Sequence, residues 1–465
     1  MIFPVPEGNR RLSIAVIILA LLILQACTYN ELPTDQRTRP AGEPTVEPVE
    51  PLPPNPCSGN LVEGYCSKVS YTPGEEMQVF LQSKSSIGLC KLDIYGQDGK
   101  IAFSVKAFLT VQAPTSAKAH SEGYNYSVSA TFKVPELVSG IYFIENRVPF
   151  IIKSRRPVDV MIVYASNTAN AYCEAGGKSL YSKTDRPYEV SFLRPISLEP
   201  FSLLCLKWFS TLKDIDVGYI ADVDMDDYSN LYATKVLTIV GHSEYWTRIG
   251  RQNFDKFVQR GGHALILSGN TMWWQVRYSS DKTRMICYKS LVDDPIADML
   301  SRTTLWTDPI LNYSTLSSVG ADFTHGGYGT RSDNGWNGYK IVNARSPLLE
   351  GLNLKKGDVV SLPTVEFDGT PISKFDDDGF PVVVKDSLNC NKIELIGFDK
   401  GFRLRETYGT FFIYKPTATS GYIINTCSTD WCSSDGMGGV SGDAIKQITR
   451  NAVTKLVNNE TVFSR

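Results

Sequence analysis

The sequence predicts an α/β body with a mostly parallel sheet and helices on both faces, preceded by a smaller all-β domain. Three observations carry that expectation. Residues 235–277 read as strand, polar loop, helix and second strand, the unit from which parallel sheets are built. Residues 57–153 are short alternating apolar runs separated by turn dipeptides. Beyond Pro157, apolar runs of strand length return repeatedly, and a helical pattern closes the chain.

The 465 residues suffice for two or three cores, and 42% hydrophobic with 21% charged residues is an ordinary globular balance. A formal charge of −2 excludes the basic footprint of a nucleic-acid binder. Residues 1–26 read as a targeting segment: Arg10 and Arg11 precede the uncharged run Leu12–Leu24. That run is shorter than the ~20 residues of a membrane span. It ends in Leu24-Gln25-Ala26-Cys27, which resembles a bacterial lipobox. The resemblance implies cleavage before Cys27, lipidation of that residue, and anchoring to a bacterial membrane facing the periplasm or the exterior. An ordinary signal peptide with a chance cysteine is the alternative. Residues 27–56, rich in Pro and Glu, bury too little to fold and make a disordered tether. Cys57/Cys66 and Cys427/Cys432 are close enough in sequence to pair, but connectivity stays open.

Residues 57–153 predict an immunoglobulin-like β-sandwich, with strands near 77–81, 91–95, 126–132 and 140–144. It holds no Trp, so the core of true immunoglobulin domains is absent. It reads as a spacer or packing partner, or else a ligand-binding module. In the second body, 154–465, Val158–Ala165 is a first central strand, Leu203–Leu212 a helix and Asp216–Ile220 a strand. Val236–Val240 is a buried strand, Thr247 an N-cap, and Ile249, Phe254, Phe257 and Val258 stripe a helix reaching about Arg260. His263–Leu267 is the next strand. Residues 278–350 read as irregular. Strands follow at 358–367, 380–384, 393–398, 411–414 and 421–425, and Ile445, Ile448, Val453, Leu456 and Val457 mark a final helix.

Ligands of parallel α/β sheets sit beyond the carboxyl ends of the strands. His242, Ser243, Glu244 and Tyr245 occupy one such end and Asn270 another. Trp246, Trp273, Trp274 and Arg277 are candidates to line the pocket, with core or lid packing as the alternative. Gly177-Lys178-Ser179 is no P-loop, because Cys173 stands where the loop needs Gly. Gly241-His242-Ser243-Glu244-Tyr245 only half-matches a nucleophile elbow, and its base would have to be His263 or His325. Asp222, Asp224, Asp226 and Asp227 lack the Gly and Glu of an EF-hand. Only four histidines, none in H-E-x-x-H, and cysteines without paired C-x-x-C spacing leave no zinc motif. A metal would be held by oxygen, and a phenol ligates well only to a strong Lewis acid such as ferric iron.

NTANAYCEAGGKSLY (167–181), VSFLRP (190–195), DVGYIADVDMD (216–226), VGHSEYW (240–246) and GGHALILSGNTMWWQVR (261–277) together resemble the C-terminal domain of the N,N-dimethylformamidase large (beta) subunit family. The resemblance is strong over about 158–277 and weaker beyond. It implies a glutamine-amidotransferase-like (flavodoxin-like) fold. In that enzyme an iron held by two tyrosines and a glutamate activates water to cleave a small amide. On that basis Tyr245 is the expected metal ligand, and Glu244 and His242 position water or shuttle protons. Asn270 orients the substrate carbonyl, and Tyr172, within the first motif, joins the pocket. The second tyrosine is expected near the helix around Trp208, where the chain has Leu203, Leu204 and Cys205. The glutamate is expected in a Gly-Glu-x-Gly-Gly stretch, but Thr324-His325-Gly326-Gly327-Tyr328 has none. Two functions follow: an exported, membrane-anchored, metal-dependent hydrolase of an amide or related C–N bond, with iron as the metal the resemblance implies, or a non-catalytic surface lipoprotein that binds an envelope or extracellular ligand.

Overall fold

The computed structural model describes residues 51–198, 201–329, 335–388 and 390–465. The targeting segment, Cys27 and most of the tether lie outside the described residues. The first sequence expectation to meet its test is the alternation at 76–83. Glu76–Ser83 is a strand whose side chains alternate between core and surface, as a half-buried sheet requires. It pairs with Leu61–Cys66 and Ala130–Lys133 in one sheet. A second sheet runs Ser70–Tyr71, Val148–Ile152, Gly140–Ile144, Gly88–Tyr95 and Ile101–Leu109. Met77, Val79, Leu81, Leu92, Ile94 and Phe150 fill the space between them. Cys57 is bonded to Cys90 rather than to Cys66, which is a buried free thiol, as are Cys427 and Cys432. Neighbours in sequence are thus not the neighbours in space.

The focal unit folds as its pattern requires. Thr234–His242 and His263–Gly269 are parallel strands in direct register, buried on both faces. Between them runs the helix Arg248–Gln259, capped by the Thr247 hydroxyl, which accepts from Gly250 N at 2.9 Å. Phe254, Phe257 and Val258 face the sheet side that bears Leu237, Ile239 and Ile266. The closing helix Gly442–Val457 places Ile445, Ile448, Val453 and Leu456 against the residues of opposite parity, Val236, Val240, Leu265 and Leu267.

The fold class departs from expectation. Strands hold 35% of the described residues and helices 18%. The main sheet has eleven strands and is mixed. Its parallel half runs Val217–Ala221, Val158–Tyr164, Thr234–His242, His263–Gly269 and Ile423–Asn425. From there Arg405–Lys415, Lys392–Arg403, Asp322–Tyr328 and Glu366–Gly369 follow, all antiparallel. This is not a helix-flanked parallel flavodoxin-like sheet. The long hairpin 392–415 accounts for much of the difference, because antiparallel neighbours need no crossover helix. The stretch 278–350 is less irregular than its composition implies, since Asp322–Tyr328 and Gly338–Ile341 both join the main sheet.

The two bodies are joined by specific polar contacts. Asp224, in the short helical turn Asp222–Asp226, accepts from Ser70 Oγ at 2.7 Å and from Lys153 Nζ at 3.1 Å. Tyr124 N donates to Leu193 O, and Gly176 N donates to Tyr124 Oη, both at 2.9 Å.

Candidate functional site

Strand ends and one loop build the site. The Thr234–His242 strand ends at His242, and the chain turns so that Glu244 is fixed on three sides. Glu244 N donates to Thr168 Oγ1 at 3.0 Å. Glu244 O accepts from the backbone of Trp273 and Trp274 at 2.9 and 3.0 Å. Tyr245–Thr247 then pairs with Trp274–Tyr278 in a small side sheet. On the neighbouring strand end, Asn270 adopts a left-handed backbone (φ 49°), a conformation Asn tolerates better than most residues. Gly269, just before it, is where the chains close up. A Cβ there would lie 2.5 Å from Thr429 N and 2.9 Å from Glu366 O. That contact draws the Glu366–Gly369 strand, from the antiparallel half, onto the end of the parallel one.

The side chains meet as a connected set. Asn270 Nδ2 donates to Glu366 Oε2 at 2.9 Å. His242 Nε2 is 3.4 Å from Glu366 Oε2 and 3.5 Å from Glu244 Oε2. Tyr172 Oη donates to Glu244 Oε2 at 3.0 Å, and Tyr181 Oη reaches both Glu244 oxygens at 2.8 and 2.9 Å. Tyr172 and Tyr181 stack on each other with centroids 4.2 Å apart. Lys289 Nζ sits 3.7 Å from the Tyr181 ring centre.

Burial governs the electrostatics. It pushes the Glu244 carboxyl up, while charge on His242 and Lys289 pulls it back and Glu366 adds to the rise. Burial raises the Tyr172 and Tyr181 phenols too, and the Glu244 charge raises both further. Both therefore stay protonated and donate to the carboxylate. Burial also lowers the Lys289 ammonium, against the pull of Glu244.

His242, Glu244, Asn270 and Tyr172 thus come together. Tyr245 takes a different place from the ligand position expected for it. Its fully buried phenol donates to Tyr181 Oη at 2.9 Å, so a second phenol stands between it and Glu244. Trp246 is core: its indole N–H reaches Ser243 and its ring packs edge-on to Phe254. Arg277 forks onto buried Asp294 at 2.6 and 2.8 Å, a structural pair rather than a pocket wall. Trp273 packs against Phe323, and Trp274 lies 5.0 Å from Lys289 Nζ. The helix Leu203–Phe209 brings no tyrosine, and the strand Asp322–Tyr328 no glutamate. Ser243 has no histidine base: His263 bonds Tyr422 N and Asn459 at the far end of its strand, and His325 pairs with Asp322. Tyr181, Lys289 and Glu366 escaped sequence reasoning. Only Tyr181 carried a signal there, as the last residue of the motif that also holds Tyr172.

The sequence profile described as N,N-dimethylformamidase beta subunit-like, C-terminal, matches residues 89–437, a span that contains every residue of the site. The chain belongs to that family. No curated protein matches it. Among solved structures, a ThuA-like protein from Bacteroides uniformis ATCC 8492 aligns at 11% identity with a TM-score of 0.32, over 65% of this chain and 93% of that one.

Proposed function

We propose that this protein is a hydrolase of an amide or related C–N bond, acting at Glu244, His242, Glu366 and Asn270. The observation that carries the reading is His242 Nε2, placed 3.5 and 3.4 Å from two carboxylates. An imidazole so flanked can take a proton from water on one side and return it to a leaving amine, the two transfers amide hydrolysis needs. Asn270 orients Glu366 and leaves its own carbonyl oxygen buried without a hydrogen-bond partner. That acceptor suits the N–H of an amide or amine. The stacked phenols cover Glu244 and narrow the access of bulk water to it.

The family implies iron, and the donor set fits. Among the described residues no group of three His, Cys, Asp or Glu side chains is arranged to hold a metal. Two phenols and a carboxylate do meet, at Tyr172, Tyr181 and Glu244. These all-oxygen residues would hold a ferric ion, which supplies the Lewis acidity that makes water a nucleophile near neutral pH. The test is amine release from small amides by the purified protein. Glu244→Gln is expected to lower the rate by about 10²–10⁴-fold with the fold intact. A wild-type protein with no such activity on any small amide, with or without added iron, overturns the reading.

A further inference from the structure

Asp368 joins the turns that end two neighbouring parallel strands. Its backbone N–H donates to Cys427 O at 2.8 Å, just past the strand Ile423–Asn425. Its Oδ2 accepts from Thr271 N at 3.0 Å, just past the strand His263–Gly269. Both turns are strained. Asn270, Met272 and Cys427 all take left-handed backbones, with φ of 49°, 56° and 54°. Asn tolerates that region better than Met or Cys does. Such conformations persist only where neighbouring contacts over-determine them. At Thr271 those contacts are Asp368 Oδ2 on its N–H and Ser268 Oγ, which accepts from its hydroxyl at 3.1 Å. Met272 N donates to Ser243 O at 2.9 Å.

The hold continues into the site. Glu366 and Asp368 are two apart on one strand, so their side chains leave the same face. Asn270 and Thr271 are consecutive on the facing turn, and each donates to one of those carboxyls, like two rungs. Asp368 is wholly buried, and its Oδ1 has no hydrogen-bond partner among the described residues. Burial pushes its carboxyl well up, the Thr271 amide pulls it back, and Asp322 and Glu366 add to the rise. A buried carboxyl with one oxygen unpaired is costly to keep, and the Thr271 amide is the contact that offsets it.

We infer that Asp368 is a positioning residue of the site: it pins the Thr271 amide, and with it the left-handed backbone that turns the Asn270 side chain onto Glu366. The inference rests on the reading of the site as an amide hydrolase, and it adds a residue that acts through Asn270. With Thr271 released, Asn270 can relax toward an ordinary backbone, and its Nδ2 then leaves Glu366.

The test compares two variants of the full-length protein. Asp368→Leu removes the acceptor while keeping an apolar side chain of similar reach, and Asp368→Asn keeps an oxygen that can accept from Thr271 N. Asp368→Leu is expected to lower kcat for a small amide by about 10–100-fold, and Asp368→Asn to restore it to within about threefold of wild type. In an Asn270→Ala background, Asp368→Leu should change kcat by less than about twofold, because nothing is left to position. Hydrogen exchange in peptides covering residues 268–273 should quicken about 10-fold or more in Asp368→Leu and stay at the wild-type rate in Asp368→Asn. If Asp368→Leu does not fold, Asp368→Ala, which leaves room for water, takes its place. Full turnover in the apolar variant, a loss that Asp368→Asn does not restore, an equal loss with and without the Asn270 side chain, or unchanged exchange at 268–273 overturns the inference. The two readings fail separately. A wild-type protein that cleaves no amide sinks the proposed activity alone, and the exchange rates then decide whether Asp368 holds the turn.

Discussion

Asn270 Nδ2 donates to Glu366 Oε2 across 96 residues of sequence, tying the end of a parallel strand to the start of an antiparallel one. Asn270→Asp replaces that donor with a second carboxylate beside Glu366. Amide turnover is expected to fall by at least about 10²-fold, while circular dichroism stays unchanged.

The order of the phenols gives a sharper test. Tyr181 touches both Glu244 oxygens, whereas Tyr245 touches Tyr181. On the proposed function, Tyr181→Phe should lower amide turnover and the iron retained after incubation with ferric salt together. Tyr245→Phe should retain as much iron as the wild type under the same incubation and change turnover by less than about 10-fold. Metal analysis of the two variants side by side decides it, and the reverse ranking would move the ligand role back to Tyr245.

Close approach at Gly269 predicts a packing defect that reaches the site. The Cβ of Gly269→Ala must push away Thr429 N or the Glu366 carbonyl. A loss of about 1–3 kcal/mol in denaturant titrations is expected, with a drop in turnover larger than a fully folded population would show.

Acid sensitivity should centre on Asp294. Burial alone would raise its carboxyl, but Arg277, Thr303 N, Thr303 Oγ1 and Ile296 N outweigh it and hold it down at about 2. A folded value below the ordinary ~3.9 means stability present above pH ~4 and lost as pH falls toward 2. Asp294→Asn should remove about 2–3 kcal/mol at neutral pH and flatten the stability profile across that window. Urea titrations at pH 7 and pH 3 measure both.

Arg194 is wholly buried, and among the described residues its hydrogen bonds reach no carboxylate. It donates to the carbonyls of Asn170, Cys173, Ala175, Lys178 and Ser191 and to Asn170 Oδ1. The loop it clamps leads from Tyr172 to Tyr181. Arg194→Lys cannot reproduce the fork, and each buried carbonyl left without a donor should cost about 1–3 kcal/mol. Hydrogen exchange should rise first in residues 170–181.

What could be read from the residues follows how local each signal is. The Thr247 cap, the two strands beside it and the closing helix rest on spacing within one segment, and all were legible. The hairpin 392–415 was not recognised as one antiparallel unit. It turns at Leu404, which takes φ 62° with 91% exposure and offers none of the Asn-Gly or Asp-Gly pairs that mark such turns. Without that marker the sequence shows two strands but not that they pair antiparallel with each other. Glu366 was invisible for a related reason. Its neighbours in sequence, Val365 and Phe367, say nothing of Asn270, and only the contact at Gly269 brings the two together.

The three-residue strand Ile423–Asn425 has one flank parallel to His263–Gly269 and the other antiparallel to Arg405–Lys415. It is the keystone between two half-sheets, and it is made late. A chain emerging from the ribosome can assemble its early strands and, afterwards, its hairpin, but the halves stay unjoined until residue 425 is free. The seam exposed in the meantime is a pair of sticky edges. Nonsense truncations short of that position should therefore yield aggregates rather than a smaller folded protein.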